Sequence, residues 1–363
     1  MTSEDDFSKF PQAQGEDVKE RPQPADDPTE ATLSSEHADL IEKMSKTLKR
    51  LDSDDMSRGD LKILSRTLHE LGMAFRVFQP YRRRRKVTVF GSARTPTNDG
   101  AYQQALEFGR AMTRQGWMTV TGAGGGIMEA GHVGAGKELS MGLNIQLPFE
   151  QSSNHIIEGD PKLVTMKYFF TRKLMFLKES SAVVSLPGGF GTLDETAEAL
   201  TLLQTGKQTM LPVVLLDEPG GDYWQHFGEF ITKTLLADGM ISPEDVQLYR
   251  ITDSVDEAVE ETLKFYRVYH SMRYVGDTLV LRISSKLTEE QVEGLNESFS
   301  EILVEGKIEQ CAALPAESNE PELTELPRIK LRFDRKQLGK LRMLIDAIND
   351  TCPTCVTSPS TGS

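Results

Sequence analysis

The spacing of apolar residues changes character along the chain. From residue 38 to 78, Leu40, Ile41, Met44, Leu48 and Leu51, then Leu61, Leu64, Leu68, Leu71 and Phe75, recur at intervals of three and four. That spacing predicts two amphipathic helices, broken near residues 52–60. Short apolar runs then alternate with helical patterns. Strands are predicted at 87–90, 117–121, 141–147, 182–186 and 212–216, with a further short one at 163–164. Helices are predicted at 102–115, 127–139, 168–179, 193–205, 223–238 and 255–269.

This alternation predicts an α/β fold, a Rossmann-like doubly wound parallel sheet covered on both faces, with ligands at the carboxyl ends of its strands. Beyond Arg273 the rhythm becomes strand 278–283, helix 288–300, strands 308–313 and 328–333, and helix 336–349, a βαββα pattern. The expected organisation is an acidic disordered tail over 1–36, helices over 37–80 and a nucleotide-binding catalytic domain over 81–273. A small α+β domain over 274–350 and a polar tail over 351–363 follow. Residues 315–327, acidic and bounded by prolines, form the long loop of the small domain.

Composition adjusts this picture only at the edges. Hydrophobic residues make up 38% and charged residues 26%, as in ordinary soluble proteins. The net charge is −14, and half of it lies in the first 36 residues, where ten acids meet three bases. Such a balance disfavours a general binder of nucleic acid. No apolar run is long enough to span a bilayer and the N-terminus lacks the pattern of a signal peptide, so a cytoplasmic protein without a membrane partner is expected. Three cysteines, Cys311, Cys352 and Cys355, cannot form a disulfide framework. Cys352-x-x-Cys355 has no second pair or neighbouring histidine, and reads as part of an inert tail.

The chemistry gathers where predicted strands run into glycine turns: Gly91-Ser92-Ala93-Arg94, Gly122-Ala-Gly124-Gly125-Gly126, and Pro187-Gly188-Gly189-Phe190-Gly191-Thr192. Unpaired amides at a helix start, approached closely through glycine, hold anions, phosphate above all. Neither longer turn completes the dinucleotide fingerprint, and neither carries the Lys-Ser/Thr of a P-loop. NAD, FAD and ATP as a phosphoryl donor are therefore disfavoured, which leaves a nucleoside monophosphate open. A single such turn is as easily a tight connection; three on one sheet edge argue for a ligand.

Two further positions carry competing readings. Thr192-x-x-Glu195 is the pattern of a capping box, so Glu195 reads either as a helix cap or as a functional carboxylate. Arg172 and Lys173 lie on the predicted helix 168–179, and Phe169 and Phe176 place Arg172 on a largely apolar face. Its guanidinium either reaches out to water or enters a cleft, where it would suit bidentate phosphate binding. The run Arg82–Lys86 reads as a solvated entry to the sheet. Six histidines without ligand spacing, and the lack of a Gly-x-Ser-x-Gly elbow, point away from metal and serine-nucleophile chemistry.

Pro187-Gly-Gly-Phe-Gly-Thr-x-x-Glu195, with the upstream Arg172-Lys173 and the Gly124-Gly-Gly-Ile-Met128 turn, resembles the LOG family, long labelled "possible lysine decarboxylase". The resemblance covers roughly residues 87–269. It implies a Rossmann-like homodimer that hydrolyses the N-glycosidic bond of cytokinin riboside 5′-monophosphates, and often of AMP, to the free base and ribose 5-phosphate. It implies no cofactor, and in particular neither pyridoxal phosphate nor a lysine Schiff base.

Carried to this chain, the resemblance makes Arg172 and Glu195 the catalytic pair. Gly188, Gly189, Gly191 and Thr192 would hold the phosphate with Lys173 nearby, and Glu150 and Thr201 would touch the ligand. Gly91, Ser92, Gly124, Gly125 and Gly126 join them as phosphate- or substrate-binding turns. One departure concerns base specificity: short members carry Met-His-x-Arg-Lys, whereas Phe170 fills the histidine slot here. A non-catalytic nucleotide or molybdenum-cofactor carrier of the same fold is the alternative. The N-terminal helices and the C-terminal domain lie outside the short members and would serve regulation or assembly.

Overall fold

A computed structural model describes residues 37–147 and 152–351. The expected tails over 1–36 and beyond 351, together with Glu150, Cys352 and Cys355, lie outside the described residues. Among the described residues the chain divides into two units, parted between Ile63 and Leu64. Helices α1 (Ala38–Ser53) and α2 (Arg58–Phe78) match the predicted pair, with the break where Asp54 and Asp55 interrupt the apolar spacing; Asp55 takes φ 50°.

The second unit is built on a seven-stranded parallel sheet. Its strands are β1 (Lys86–Phe90), β2 (Met118–Thr121), β3 (Ser140–Ile145), β4 (Leu163–Met166), β5 (Ala182–Ser185), β6 (Val213–Leu216) and β7 (Arg250–Thr252). They lie in the order β4-β3-β2-β1-β5-β6-β7. Val87, Val89, Val183, Val184, Val213 and Val214 are fully buried, as strands covered on both faces require. The intervening helices are α3 (Gly100–Arg114), α4 (Ile127–Ala135), α5 (Phe169–Glu179), α6 (Phe190–Gln204), α7 (Tyr223–Phe230) and α8 (Val255–Lys264). From β1 the chain steps outward through β2, β3 and β4, then returns to add β5 on the other side of β1. The order thus reverses between β1 and β5, and a crevice at such a switch point is where open α/β sheets bind ligands.

Several elements differ from the sequence reading. Helix α6 begins at Phe190, three residues before the predicted start, so two glycines of the turn are helical or at its cap. The helix predicted over 223–238 changes to a π-helical stretch at Ile231–Leu236. The helix predicted to reach residue 269 stops at Lys264, and strand β8 (Tyr269–Val275) crosses the boundary expected at 273.

With β9 (Thr278–Ile283), β10 (Leu303–Cys311) and β11 (Arg328–Phe333), β8 forms an antiparallel sheet in the order β10-β11-β9-β8, accompanied by α9 (Glu289–Phe299) and α10 (Leu338–Asp350). Buried Asn349 on α10 joins this sheet to the chain before it, accepting from the amides of Val268 and Tyr269 and donating to the Phe265 carbonyl. The acidic loop 315–327 is used structurally. Its Glu317 is buried between Arg282 and Arg328, and against the opposing effect of burial the Leu314 amide, with Arg328 and Arg282, holds its carboxyl well below the ordinary range, at about 2. Among the described residues no helix is long and apolar enough to cross a membrane.

Candidate active site

Ser92 draws the three glycine turns together. Its amide donates to the Pro187 carbonyl at 3.1 Å, and its own carbonyl accepts from the Ile127 amide at 3.0 Å. These contacts need residues without side chains beside them. A Cβ on Gly126, which sits at φ 61°, would meet the Ser92 carbonyl oxygen at 2.3 Å, and one on Gly188 would come within 2.8 Å of the Ser92 amide. From the far side, the Tyr223 hydroxyl on α7 donates to the Gly188 carbonyl at 2.7 Å.

The turn after β2 rests on a buried polar cluster. Asn154 donates through its side chain to Gly124 O at 3.0 Å and through its backbone to Ala123 O at 2.8 Å. Its amide also lies against His132 Nδ1, while His132 Nε2 faces the Met141 carbonyl at 3.0 Å. A carbonyl only accepts, so Nε2 carries the proton and Nδ1 accepts from Asn154. Burial pushes this imidazole down to about 4, against its hydrogen bonds, so His132 is a neutral structural group.

At the switch point these turns wall a cavity of about 520 Å³. Gly91, Ser92 and Arg94 line one side, Gly189, Gly191 and Thr192 another, and Gly122 and Met128 a third. Phe90 and Phe176, packed edge to face with centroids 5.0 Å apart, give it an apolar wall. Helix α6 starts in this wall, so its first amides face the cavity.

Arg172 enters the cavity, and the alternative of a side chain reaching out to water is set aside. Only 14% of the side chain is exposed, and its guanidinium lies 5.1 Å from the centre of the Phe169 ring and 5.5 Å from that of Phe176. The Nη2 atom is 3.7 Å from Glu195 Oε1, an ion pair too long for a hydrogen bond, and Nε has no hydrogen-bond partner among the described residues. Burial lowers the pKa of this guanidinium, partly offset by Glu195 and Asp194. A buried cation with unsatisfied donors on a cavity wall is suited to an anionic ligand.

Glu195 does not cap its helix. The cap residue of α6 is Gly189, with no side-chain cap bond, which leaves Glu195 in the second turn and only 5% exposed. The capping-box reading fails because Thr192 is already helical. Burial raises the Glu195 pKa, while Lys173 and Arg172 pull it back part of the way. A carboxylate raised in this manner and facing a cavity is suited to general-base work near neutral pH.

Lys173 takes a different place from the one expected. It does not line the cavity; its Nζ is bound by Glu198 at 2.7 Å, Asp194 at 2.9 Å and Glu195 at 3.2 Å. Burial would lower its pKa, but the three carboxylates raise it to about 12, beginning with Glu198 and Asp194. Thr201, two turns beyond Glu195 on α6, bonds its hydroxyl to the Ala197 carbonyl and lines a separate apolar recess. Gly124, Gly125, Gly126 and Gly188 shape the turns without lining the cavity. Arg94, Met128, Phe90, Phe169 and Phe176 line it without having been singled out as site residues. Arg94 and Met128, which end glycine turns, and Phe169 and Phe176, which flank Arg172, each had a signal in the sequence, whereas Phe90 had only that of a strand residue. Among the described residues no group of three or more His, Cys, Asp or Glu side chains is placed to hold a metal ion.

Residues 113–262 match the model of the family described as "Possible lysine decarboxylase". A cytokinin riboside 5′-monophosphate phosphoribohydrolase of Mycobacterium tuberculosis is 29% identical over 180 residues, 48% of this chain and 90% of that protein. One from Arabidopsis thaliana is 26% identical over 182 residues, covering 49% and 81% respectively. Among solved structures, the molybdenum cofactor carrier protein of Chlamydomonas reinhardtii aligns at 24% identity over 50% of this chain and 99% of its own. Its TM-score is 0.34, too low to weigh in the choice of ligand.

Proposed function

We propose, from the premise that residues 113–262 belong to the family described as "possible lysine decarboxylase", that this protein hydrolyses the N-glycosidic bond of a purine nucleoside 5′-monophosphate. AMP and cytokinin riboside 5′-monophosphates are the candidate substrates. The observation that carries the reading is Glu195, buried at the cavity wall with a raised pKa, its carboxylate 3.7 Å from the Arg172 guanidinium.

N-glycoside cleavage passes through a sugar with oxocarbenium character at C1′, which calls for negative charge beside it and an activated water. Glu195 is suited to supply both. It takes a proton from water as the oxygen adds to C1′ and the C1′–N bond breaks; the base departs with the bond electrons and takes up a proton from solvent, to which Glu195 then returns its own. Arg172 and the amides at the start of α6 hold the phosphate, converting remote binding energy into orientation at C1′. The apolar wall of Phe90, Phe176 and Met128 suits the flat face of a base.

The exposed apolar side chains Phe169, Phe170, Leu174 and Phe190, the last 93% exposed, support a homodimer formed beside the cavity. Light scattering of the wild type against Leu174→Glu tests this part, and a monomeric wild type rejects it. Incubating the pure protein with AMP and with isopentenyl-AMP and assaying ribose 5-phosphate tests the reaction. Release from either supports it. Tight retention of a monophosphate without turnover, by contrast, identifies a carrier.

A further inference from the structure

A second cavity, of about 510 Å³, opens at the amino ends of β1 and β5, across the sheet from the glycine turns. Arg82, Arg84, Lys86 and Lys178 contribute four cations to its wall, against the single carboxylate of Glu179. That carboxylate is already shared, lying 2.7 Å from Lys178 Nζ and 3.5 Å from Lys86 Nζ. The side chains of Arg82 and Arg84 have no hydrogen bond or ion pair among the described residues. The wall thus carries three uncompensated positive charges in a chain whose net charge is −14.

The basic run was expected to be a solvated entry to the sheet, but its members have separate places. Arg85 stacks on the Tyr266 ring, 3.5 Å from its centre, and Lys86 is buried. Arg82, Arg83 and Arg84 are all exposed, and of the three Arg82 and Arg84 line the cavity while Arg83 lies outside it. Burial depresses the Lys86 ammonium against the pull of Glu179, so a further negative charge in the cavity would be favourable there. Cations gathered in a concave wall focus their field on a ligand far more than the same charges on an open surface.

We propose that this cavity binds a small molecule carrying two or more phosphate groups, gripped by Arg82, Arg84 and Lys178. A single phosphate brings at most two negative charges and would leave part of the wall uncompensated. The volume is that of a site for a nucleotide-sized molecule, and the half-exposed Phe75 ring offers an apolar face for the rest of it. Paired guanidinium groups favour phosphate oxygens over an isolated carboxylate.

Titration calorimetry of the full chain with inorganic tripolyphosphate tests the assignment. One binding event is expected that weakens as salt is raised, persists in Arg172→Ala and is unchanged in Arg83→Ala. In the double variant Arg82→Ala/Arg84→Ala it should weaken roughly tenfold or more, the loss of two charge-assisted contacts. Should that variant fail to unfold cooperatively, Lys178→Gln replaces it, with the same weakening expected. The proposal is overturned if the wild type binds nothing, if Arg172→Ala abolishes the event, or if the cavity variants bind as tightly as the wild type.

Discussion

Glu70, on α2, accepts a hydrogen bond from the Thr171 hydroxyl on α5 at 2.7 Å, across 101 residues of chain. The same carboxylate accepts from the Lys167 amide at 2.7 Å and from Arg66 Nε at 2.8 Å, and it is completely buried. Helix α5 has no side-chain cap of its own, so a carboxylate from another helix fills that place beside its positive end. Arg172 is the next residue after Thr171, so Glu70 anchors the start of the helix that carries it.

Glu70→Ala should therefore cost stability and loosen Arg172 together. Leaving an amide and a hydroxyl without their charged acceptor is expected to cost about 2 kcal/mol. The wild-type contribution has a defined pH range. Burial alone would raise the Glu70 pKa, but hydrogen bonds from Lys167, Thr171 and Arg66 outweigh it and lower the pKa from 4.5. A depressed folded value means that the contribution is present above 4.5 and is lost as pH falls through the folded value. Urea unfolding at neutral pH and well below pH 4.5 checks this. Equal losses at both would contradict the assignment, because the difference between variant and wild type should shrink in acid.

Glu195→Gln separates chemistry from structure. Since Glu195 makes no cap and its folded pKa lies above the unfolded one, its ionised form opposes folding at neutral pH. The variant should keep or raise the melting temperature, while turnover falls by about 10²–10⁴-fold, the usual contribution of a general base. A stable variant with wild-type release of ribose 5-phosphate would exclude the role.

Lys173→Met tests what holds that carboxylate in register. Lys173 opposes the effect of burial on Glu195 and also neutralises Asp194 and Glu198. Without it, desolvation and like charge act in the same direction, and the Glu195 pKa rises further. A base that must be ionised then loses activity at a higher pH, so the acid limb of kcat/KM should move upward. A limb that stays in place would mean that Lys173 does not set the protonation of Glu195.

The strand-turn-helix rhythm was legible because buried parallel strands need unbroken apolar runs and their turns need glycine. Arg172 and Glu195 came forward as a pair only through the resemblance, because spacing alone left each with a competing reading. What a chain read in order does not display is which charge faces which. Lys173 was expected near a phosphate, but Asp194, Glu195 and Glu198, one helical turn deep on α6, engage it first. Glu70 lies 101 residues from its partner and carries no local pattern. Thr192-x-x-Glu195 matched a cap because the pattern says nothing of where the helix begins, and two preceding glycines let it begin at Phe190. Strand β8 was hidden because Tyr269–Val275 shows no alternation of buried and exposed positions: only Tyr269 is buried and most of the rest are half-buried.

The glycines after β5 divide into two kinds, and alanine scanning should separate them. A Cβ on Gly188 would meet Thr192 Oγ1 at 2.2 Å and the Ser92 amide at 2.8 Å, so the turn itself would have to move. Gly188→Ala is expected to lose about 1–3 kcal/mol of stability, as other overpacked sites do. At Gly189 and Gly191 the added carbon meets nothing within 4 Å, and both residues line the cavity. Gly191 is moreover helical, where alanine is favoured over glycine by up to about 1 kcal/mol. Gly191→Ala should therefore keep or raise the melting temperature while placing a methyl group where a phosphate would approach the α6 amides. The expected result is a KM for the monophosphate raised roughly tenfold or more, the cost of losing close backbone contact with the anion. A Gly191→Ala enzyme with wild-type KM would place the phosphate elsewhere in the cavity, toward Arg94, and would reassign the anion site from α6 to the turn after β1.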